Sequence, residues 1–105
     1  VNPVTFTLPT GTTRQVRIEA AWMAQAFDGT GGARAYVTGN GIGSDGYMQQ
    51  YITAVGPQYR VSGFRAWAMQ LSGTQTFNMA GLYEGSAQTV SFTNLRLSAW
   101  DFGPV

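Results

Sequence analysis

The sequence has no cysteine, no histidine and no lysine. Without cysteine there is no disulfide framework, no thiolate zinc site and no thiol nucleophile. Without histidine there is no Ser-His-Asp triad and no imidazole acid or base. The six basic residues are all arginine, and five carboxylates leave a net charge of +1. Such a balance lacks the basic stripe that grips a phosphate backbone, so nucleic acid is not an expected partner. No apolar run approaches the roughly 20 residues that span a bilayer as a helix, so membrane insertion is not expected either. No signal-peptide pattern is visible. Charged residues make up only 10% of the chain, against a usual share of about 25%.

What is present is glycine (14 residues), threonine, glutamine, serine and alanine, with 13% aromatics. A length of 105 residues suits one domain, taken as residues 1–105, since domains commonly run to about 100–150 residues. The chain begins at Val1 rather than Met, so it reads as a processed product or a C-terminal piece of something longer. A surface so poor in charge departs from the roughly 25–35% that keeps small free domains soluble. The expectation is a surface partly covered by copies of the same chain.

Turn chemistry recurs at short intervals: Pro9-Thr10-Gly11, Asp28 to Gly32, Gly39 to Gly46, Gly56-Pro57, Ser72-Gly73 and Glu84-Gly85. Glycine, proline, asparagine and aspartate mark turns because they accept the backbone angles that turns need. Between these points apolar residues alternate with polar ones. Val4, Phe6 and Leu8 form one such set, and Val16, Ile18, Ala20 and Trp22 another. Further sets are Ala33, Ala35 and Val37; Met48 and Ile52; Trp67, Met69 and Leu71; Phe77 and Met79; Val90 and Phe92; and Leu95, Leu97 and Ala99. About eight short strands between turns predict an all-β, antiparallel sandwich or barrel. Two stretches also fit helical spacing, namely Val16, Ala20, Met23 and Phe27, and Phe64, Trp67, Ala68 and Leu71. Neither has a capping box, because Arg65 stands where Ser62 would need Glu or Gln. Both are read as strands.

The order of these signals resembles a known family. An opening strand runs into Leu8-Pro-Thr-Gly11, and Val16-Arg-Ile-Glu-Ala-Ala21 follows. A small-residue loop leads to Ala33-Arg-Ala-Tyr-Val37. Leu71-Ser-Gly73 then precedes Thr76-Phe-Asn-Met79, and Leu95-Arg-Leu-Ser-Ala99 closes the chain. These phrases resemble the jelly-roll heads of the tumour-necrosis-factor-like and complement-globular-head superfamily. They are most similar to the C-terminal head domains of bacteriophage tail fibres and related virion proteins. The resemblance implies an antiparallel β-sandwich of jelly-roll topology with about 8–10 strands. It also implies a threefold homotrimer, other virion proteins as neighbours, and a virion or extracellular location.

In a sandwich one face of each strand points to the core and the other outward. If Val16, Ile18, Ala20 and Trp22 point inward, Met23 and Phe27 point outward. If Leu95, Leu97 and Ala99 point inward, Trp100 and Phe102 point outward. Large apolar groups on a second face mean a partner surface, a ligand surface or a β-bulge that resets the phase. Met23, Phe27, Trp100 and Phe102 are therefore the predicted subunit interface.

The chemical motifs are weaker. Gly41-Ile-Gly43-Ser-Asp-Gly46 matches G-x-G-x-x-G, but a dinucleotide site needs a helix directly after the glycines, and Tyr47-Met-Gln-Gln-Tyr-Ile has β character. Asp28 and Asp45 sit among glycines, yet calcium wants six to eight oxygens or so. No carboxylates stand close enough in sequence to suggest a glycosidase pair. No enzyme activity, metal or cofactor is expected. Aromatic faces with neutral amides suit saccharides, whose C–H faces pack on rings and whose hydroxyls need buried partners. Tyr36, Asn40, Tyr47, Gln49, Tyr51, Gln58 and Tyr59, with Gln50 beside them, supply those groups. The resulting expectation is a non-enzymatic, trimeric receptor-binding head that meets a bacterial surface polysaccharide. Two other expectations stand beside it. One is a purely structural virion module, for capsid decoration or fibre trimerisation. The other is a carbohydrate-binding module of a secreted enzyme, with Trp100 or Trp67 as a stacking platform.

Overall fold

A computed structural model describes residues 4–26, 30–53, 60–85 and 90–105. Seven strands are present among the described residues: β1 (Val4–Thr7), β2 (Arg14–Ala26), β3 (Gly31–Thr38), β4 (Tyr47–Ile52), β5 (Arg60–Leu71), β6 (Thr74–Gly85) and β7 (Val90–Pro104). One 3-10 turn, Gly43–Gly46, joins β3 to β4. The strands form two antiparallel sheets, a four-stranded one in the order β1-β6-β3-β4 and a three-stranded one in the order β5-β2-β7. The all-β antiparallel expectation is therefore met. Of the two stretches with helical spacing, Val16, Ala20 and Met23 lie in β2 and Phe64, Trp67, Ala68 and Leu71 in β5, while Phe27 lies outside the described residues.

The core follows from alternation. In β2 the residues Val16, Ile18, Ala20, Trp22 and Ala24 all lie inward and are at most 1% exposed. Ala33, Ala35, Val37, Phe77 and Met79 meet them from the four-stranded sheet, and Trp67 and Leu71 close the cluster from β5. Each large side chain buried here contributes about 1.5–3 kcal/mol. The molecule is long and narrow, 51 × 21 × 19 Å, because strands of 13 and 15 residues extend about 3.3 Å per residue.

The eight stretches of alternation become seven strands for a specific reason. Val90–Phe92 and Leu95–Ala99 belong to one strand, β7. Along β2 the register moves from Ala21↔Arg96 to Met23↔Thr93, so β7 carries one extra residue there. That bulge resets the phase, which moves the inward positions from even to odd numbers. A second extra residue lies between the pairs Val16↔Asp101 and Arg14↔Pro104.

Glycine fixes the β3–β4 connection through close approach. A side chain at Gly46 would start 1.9 Å from the Val37 carbonyl oxygen, and one at Gly39 would start 2.1 Å from the Phe77 ring. The G-x-G-x-x-G stretch thus makes a tight hairpin connection that runs straight into β4. Beyond the single 3-10 turn no α-helix begins there whose N-terminus could meet a pyrophosphate.

Candidate functional site

The outer face of the four-stranded sheet gathers most of the predicted saccharide-binding residues. The β3–β4 register sets Tyr36 opposite Tyr47, Arg34 opposite Gln49 and Gly32 opposite Tyr51. Ala33, Ala35 and Val37 face the core, so the even-numbered residues of β3 and the odd-numbered residues of β4 share the outer face. The Tyr36 and Tyr47 rings meet edge to face, with centroids 5.0 Å apart. The Arg34 guanidinium lies 5.4 Å from the Tyr47 centroid. The Tyr47 hydroxyl donates a hydrogen bond to Gln49 Oε1 at 3.0 Å. At Gly32 the missing side chain leaves room for the row beside it, since an added Cβ would stand 2.7 Å from Gln49 Nε2 and 3.7 Å from the Tyr51 ring. Tyr51 is 68% exposed.

Four of the seven predicted residues, Tyr36, Tyr47, Gln49 and Tyr51, thus form one row. Asn40 is exposed in the turn after β3. Gln58, Tyr59 and Phe27 lie outside the described residues. Gln50 stands opposite Ala33 and so points to the other face of β4. A shallow recess of about 360 Å³ lies beside the row, lined by Tyr36, Thr38, Gly43, Ser44 and Tyr47 among others. Arg34 belongs to this group and was not among the expected binding residues. Its sequence signal was the alternation Ala33-Arg34-Ala35-Tyr36, which puts Arg34 and Tyr36 on one side.

The outer face of the three-stranded sheet is different. Across β5, β2 and β7 its rows read Phe64–Ala21–Arg96, Ala66–Glu19–Ser98 and Ala68–Arg17–Trp100. Phe64 is 62% exposed, Trp100 54% and Phe102 66%. Met23 lies on this same outward side and is half buried. Phe64, Ala21, Glu19, Arg96, Ser98 and Trp100 line a recess of about 270 Å³. On the same face Arg17 pairs with Glu19 at 3.0 Å. Phe64 was not among the expected interface residues, although the strand reading of its segment already separates it from Trp67 by parity. In a strand the two residues go to opposite faces, and Trp67 is buried. Of the two candidate tryptophan platforms only Trp100 is therefore open to a ligand.

At the end of this sheet Arg14 Nε donates to both carboxylate oxygens of Asp101, at 2.9 and 2.8 Å. The Gly103 amide donates to Asp101 Oδ1 at 2.9 Å. The Arg14 hydrogen bond, and after it the Gly103 amide, hold the Asp101 carboxyl below its ordinary pKa. This pair fastens the end of β7 to the start of β2. The Val105 amide continues the tie by donating to the Thr13 carbonyl at 3.0 Å.

Among the described residues no three aspartates or glutamates gather as a metal site. Asp28 and the Asp45 side chain lie outside them. Comparison with protein-family models, curated proteins and solved structures finds no match.

Proposed function

We propose that this chain is a non-enzymatic, self-associating β-sandwich that presents its tyrosine–amide row to a surface polysaccharide. The observation that carries this reading is the contrast between the two outer faces. One presents the exposed rings of Tyr47 and Tyr51 with Tyr36, Gln49 and Arg34 half buried among them, a shelf of rings and hydrogen-bonding groups. The other presents Phe64, Trp100 and Phe102 around a floor of alanines and the Arg17–Glu19 pair. A sugar needs flat apolar faces beside polar groups, which the first face supplies. An assembling subunit needs exposed aromatic groups that a copy can cover, which the second supplies.

The finer parts of the reading rest on the resemblance of the strand phrases. These are a jelly-roll winding, a homotrimer, and a place at the tip of a phage tail fibre, hence on a virion or outside the cell. The strand pairing does not carry the winding. β1 hydrogen-bonds β6 and β7 hydrogen-bonds β2, so the first and last strands lie in opposite sheets. Threefold presentation would raise the avidity of weak sugar contacts without adding new ones.

The test is binding of the purified chain to an array of bacterial polysaccharides. Tyr51→Ala and Gln49→Ala should lose the signal, whereas Phe64→Ser should keep it. Binding that survives loss of the tyrosine row would overturn the assignment of the site. A second reading is favoured by the recess between Phe64 and Trp100, whose exposed rings flank Glu19, Arg96 and Ser98. In a carbohydrate-binding module that recess would hold the sugar, and the same array would then report loss with Trp100→Ala instead.

A further inference from the structure

The two sheets leave four edges, and three of them are closed to strand addition. β1 is only 4 residues long and β4 only 6, so each offers few free backbone groups. β5 has 12 residues, but Arg65 opposite Ala20 points to the inner face, over the Trp67 ring at 5.4 Å. An inward-pointing charge guards an edge, because an incoming strand would bury it. β5 also lies against β4.

β7 lacks such guards along its middle. It has 15 residues and pairs only with β2 among the described residues. It has no lysine and no proline before Pro104, and of its inward positions Leu95, Leu97, Ala99 and Asp101 only the last is charged, at the end of the run, where Arg14 neutralises it. Its bulges lie at the two ends of the run Arg96–Asp101, which pairs regularly with β2. A second observation is independent of the edge itself. The inward side chains of β2 are fully buried, but Leu95, Leu97 and Ala99 are only half buried. Beside them a groove of about 340 Å³ opens between β7 and β1, lined by Phe6, Leu8, Val16, Leu97 and Ala99 among others. The sandwich is therefore apolar and open along the flank where β7 has no hydrogen-bonded strand beside it among the described residues.

We propose that β7 pairs along this free edge with β7 of a second copy, antiparallel, about a twofold axis at Ser98. A strand that pairs with itself makes an isologous contact, so each residue pair occurs twice. Residues directly opposite in an antiparallel pair share a face. That requirement restricts the partners to residues of like phase, and the bulges confine the run to its middle. Centred on Ser98, the pairing puts Arg96 of each copy opposite Trp100 of the other, and Leu97 opposite Ala99. Arg96 makes no ion pair within its own chain among the described residues, and a guanidinium over an indole face is a favourable contact. The leucines reach toward the open groove, and a charge of +1 per chain opposes the approach little. This contact needs neither a glycan nor a threefold axis, so it stands apart from the function proposed above.

Because the chain has no cysteine, Ser98→Cys supplies its only thiol. Opposed Cα atoms in an antiparallel pair stand about 4.5–5.5 Å apart, within the roughly 4.4–6.8 Å that a disulfide spans. Mild oxidation at micromolar concentration should link S98C into dimers, while Thr5→Cys on the far sheet stays monomeric over the same time. Ser98→Lys, which sets two ammonium groups against each other, should weaken the dimer about tenfold or more in sedimentation equilibrium. Its circular dichroism melt should match the parent's. A parent chain that sediments as a monomer, or S98C linking no faster than T5C, would overturn the proposal. Assembly that persists unchanged in S98K would place the contact away from Ser98 and would overturn it equally. If S98K does not fold, the comparison of S98C with T5C decides alone.

Discussion

Gly63 stands directly opposite Trp22 across the β2–β5 pair, and the indole occupies the space that any side chain at 63 would need. A Cβ there would lie 2.2 Å from Trp22 Nε1 and 2.6 Å from Cε2. Trp22 is fully buried and cannot swing into solvent. Gly63→Ala should therefore destabilise the fold by about 1–3 kcal/mol, the usual cost of overpacking, and lower the thermal midpoint measurably. The neighbouring Ser62→Ala, on the exposed side, should stay within about 0.5 kcal/mol. Replacing Trp22 by Phe removes the atoms nearest the new methyl. A double-mutant cycle of W22F and G63A should thus show a favourable coupling.

The Arg14–Asp101 pair makes a pH-dependent prediction whose sign is fixed. The Asp101 carboxyl titrates lower in the folded chain than in the unfolded one. Its contribution is then fully present above the unfolded value of about 3.9, and it is lost as pH falls through the lower folded value. Asp101→Asn should be less stable than the parent at neutral pH, and the difference should vanish in strong acid. Urea titrations at several pH values measure it. Both groups are partly exposed, so the difference should also shrink with added salt.

Much of the fold could be read from alternation, because a buried face imposes it residue by residue. Val16 to Ala24 is the clearest case: every second residue is apolar, and each of those is in the core. Alternation states which face a residue takes but not which strand lies beside it. Nothing in the sequence therefore announced that β1 would join β6 or that β7 would join β2. The bulge in β7 was hidden for a related reason. Phe92 and Leu95 are out of phase, and an abrupt change of phase looks the same as the end of one strand and the start of another. The tyrosine row was legible in composition but not in membership. Tyr47, Gln49 and Tyr51 share a face by parity, whereas Gln50 falls on the other side for the same reason. Arg34 shares a side with Tyr36 by parity, but only strand pairing, which one strand's pattern does not contain, sets it beside Gln49.

The apolar outer face predicts a solution property that leaves folding untouched. Phe64, Trp100 and Phe102 are mostly exposed in the single chain, so truncating them removes little buried surface from it. The variant Phe64→Ser, Trp100→Ala, Phe102→Ser should melt within a few degrees of the parent. Light scattering should nevertheless give it a smaller mass at the same concentration, if these rings are what copies of the chain cover. A parent and variant of equal mass would remove these residues from the subunit interface.

The tyrosine row predicts the opposite separation, between binding and assembly. Tyr51 is the most exposed ring of the row, and its neighbours Tyr47 and Gln49 are fixed by their mutual hydrogen bond. Tyr51→Ala should lower polysaccharide affinity about tenfold, equivalent to roughly 1.4 kcal/mol, while mass and melting temperature stay those of the parent. Tyr47→Phe is the sharper probe. It keeps the ring that meets Tyr36 and Arg34, and it deletes only the hydroxyl that holds the Gln49 amide. If the amide is positioned to receive a sugar hydroxyl, Y47F should bind more weakly than the parent but better than Tyr47→Ala, in isothermal titration against the polysaccharide the array selects. Equal binding by all three chains would take this face out of recognition and leave the Trp100 recess as the place where a sugar sits.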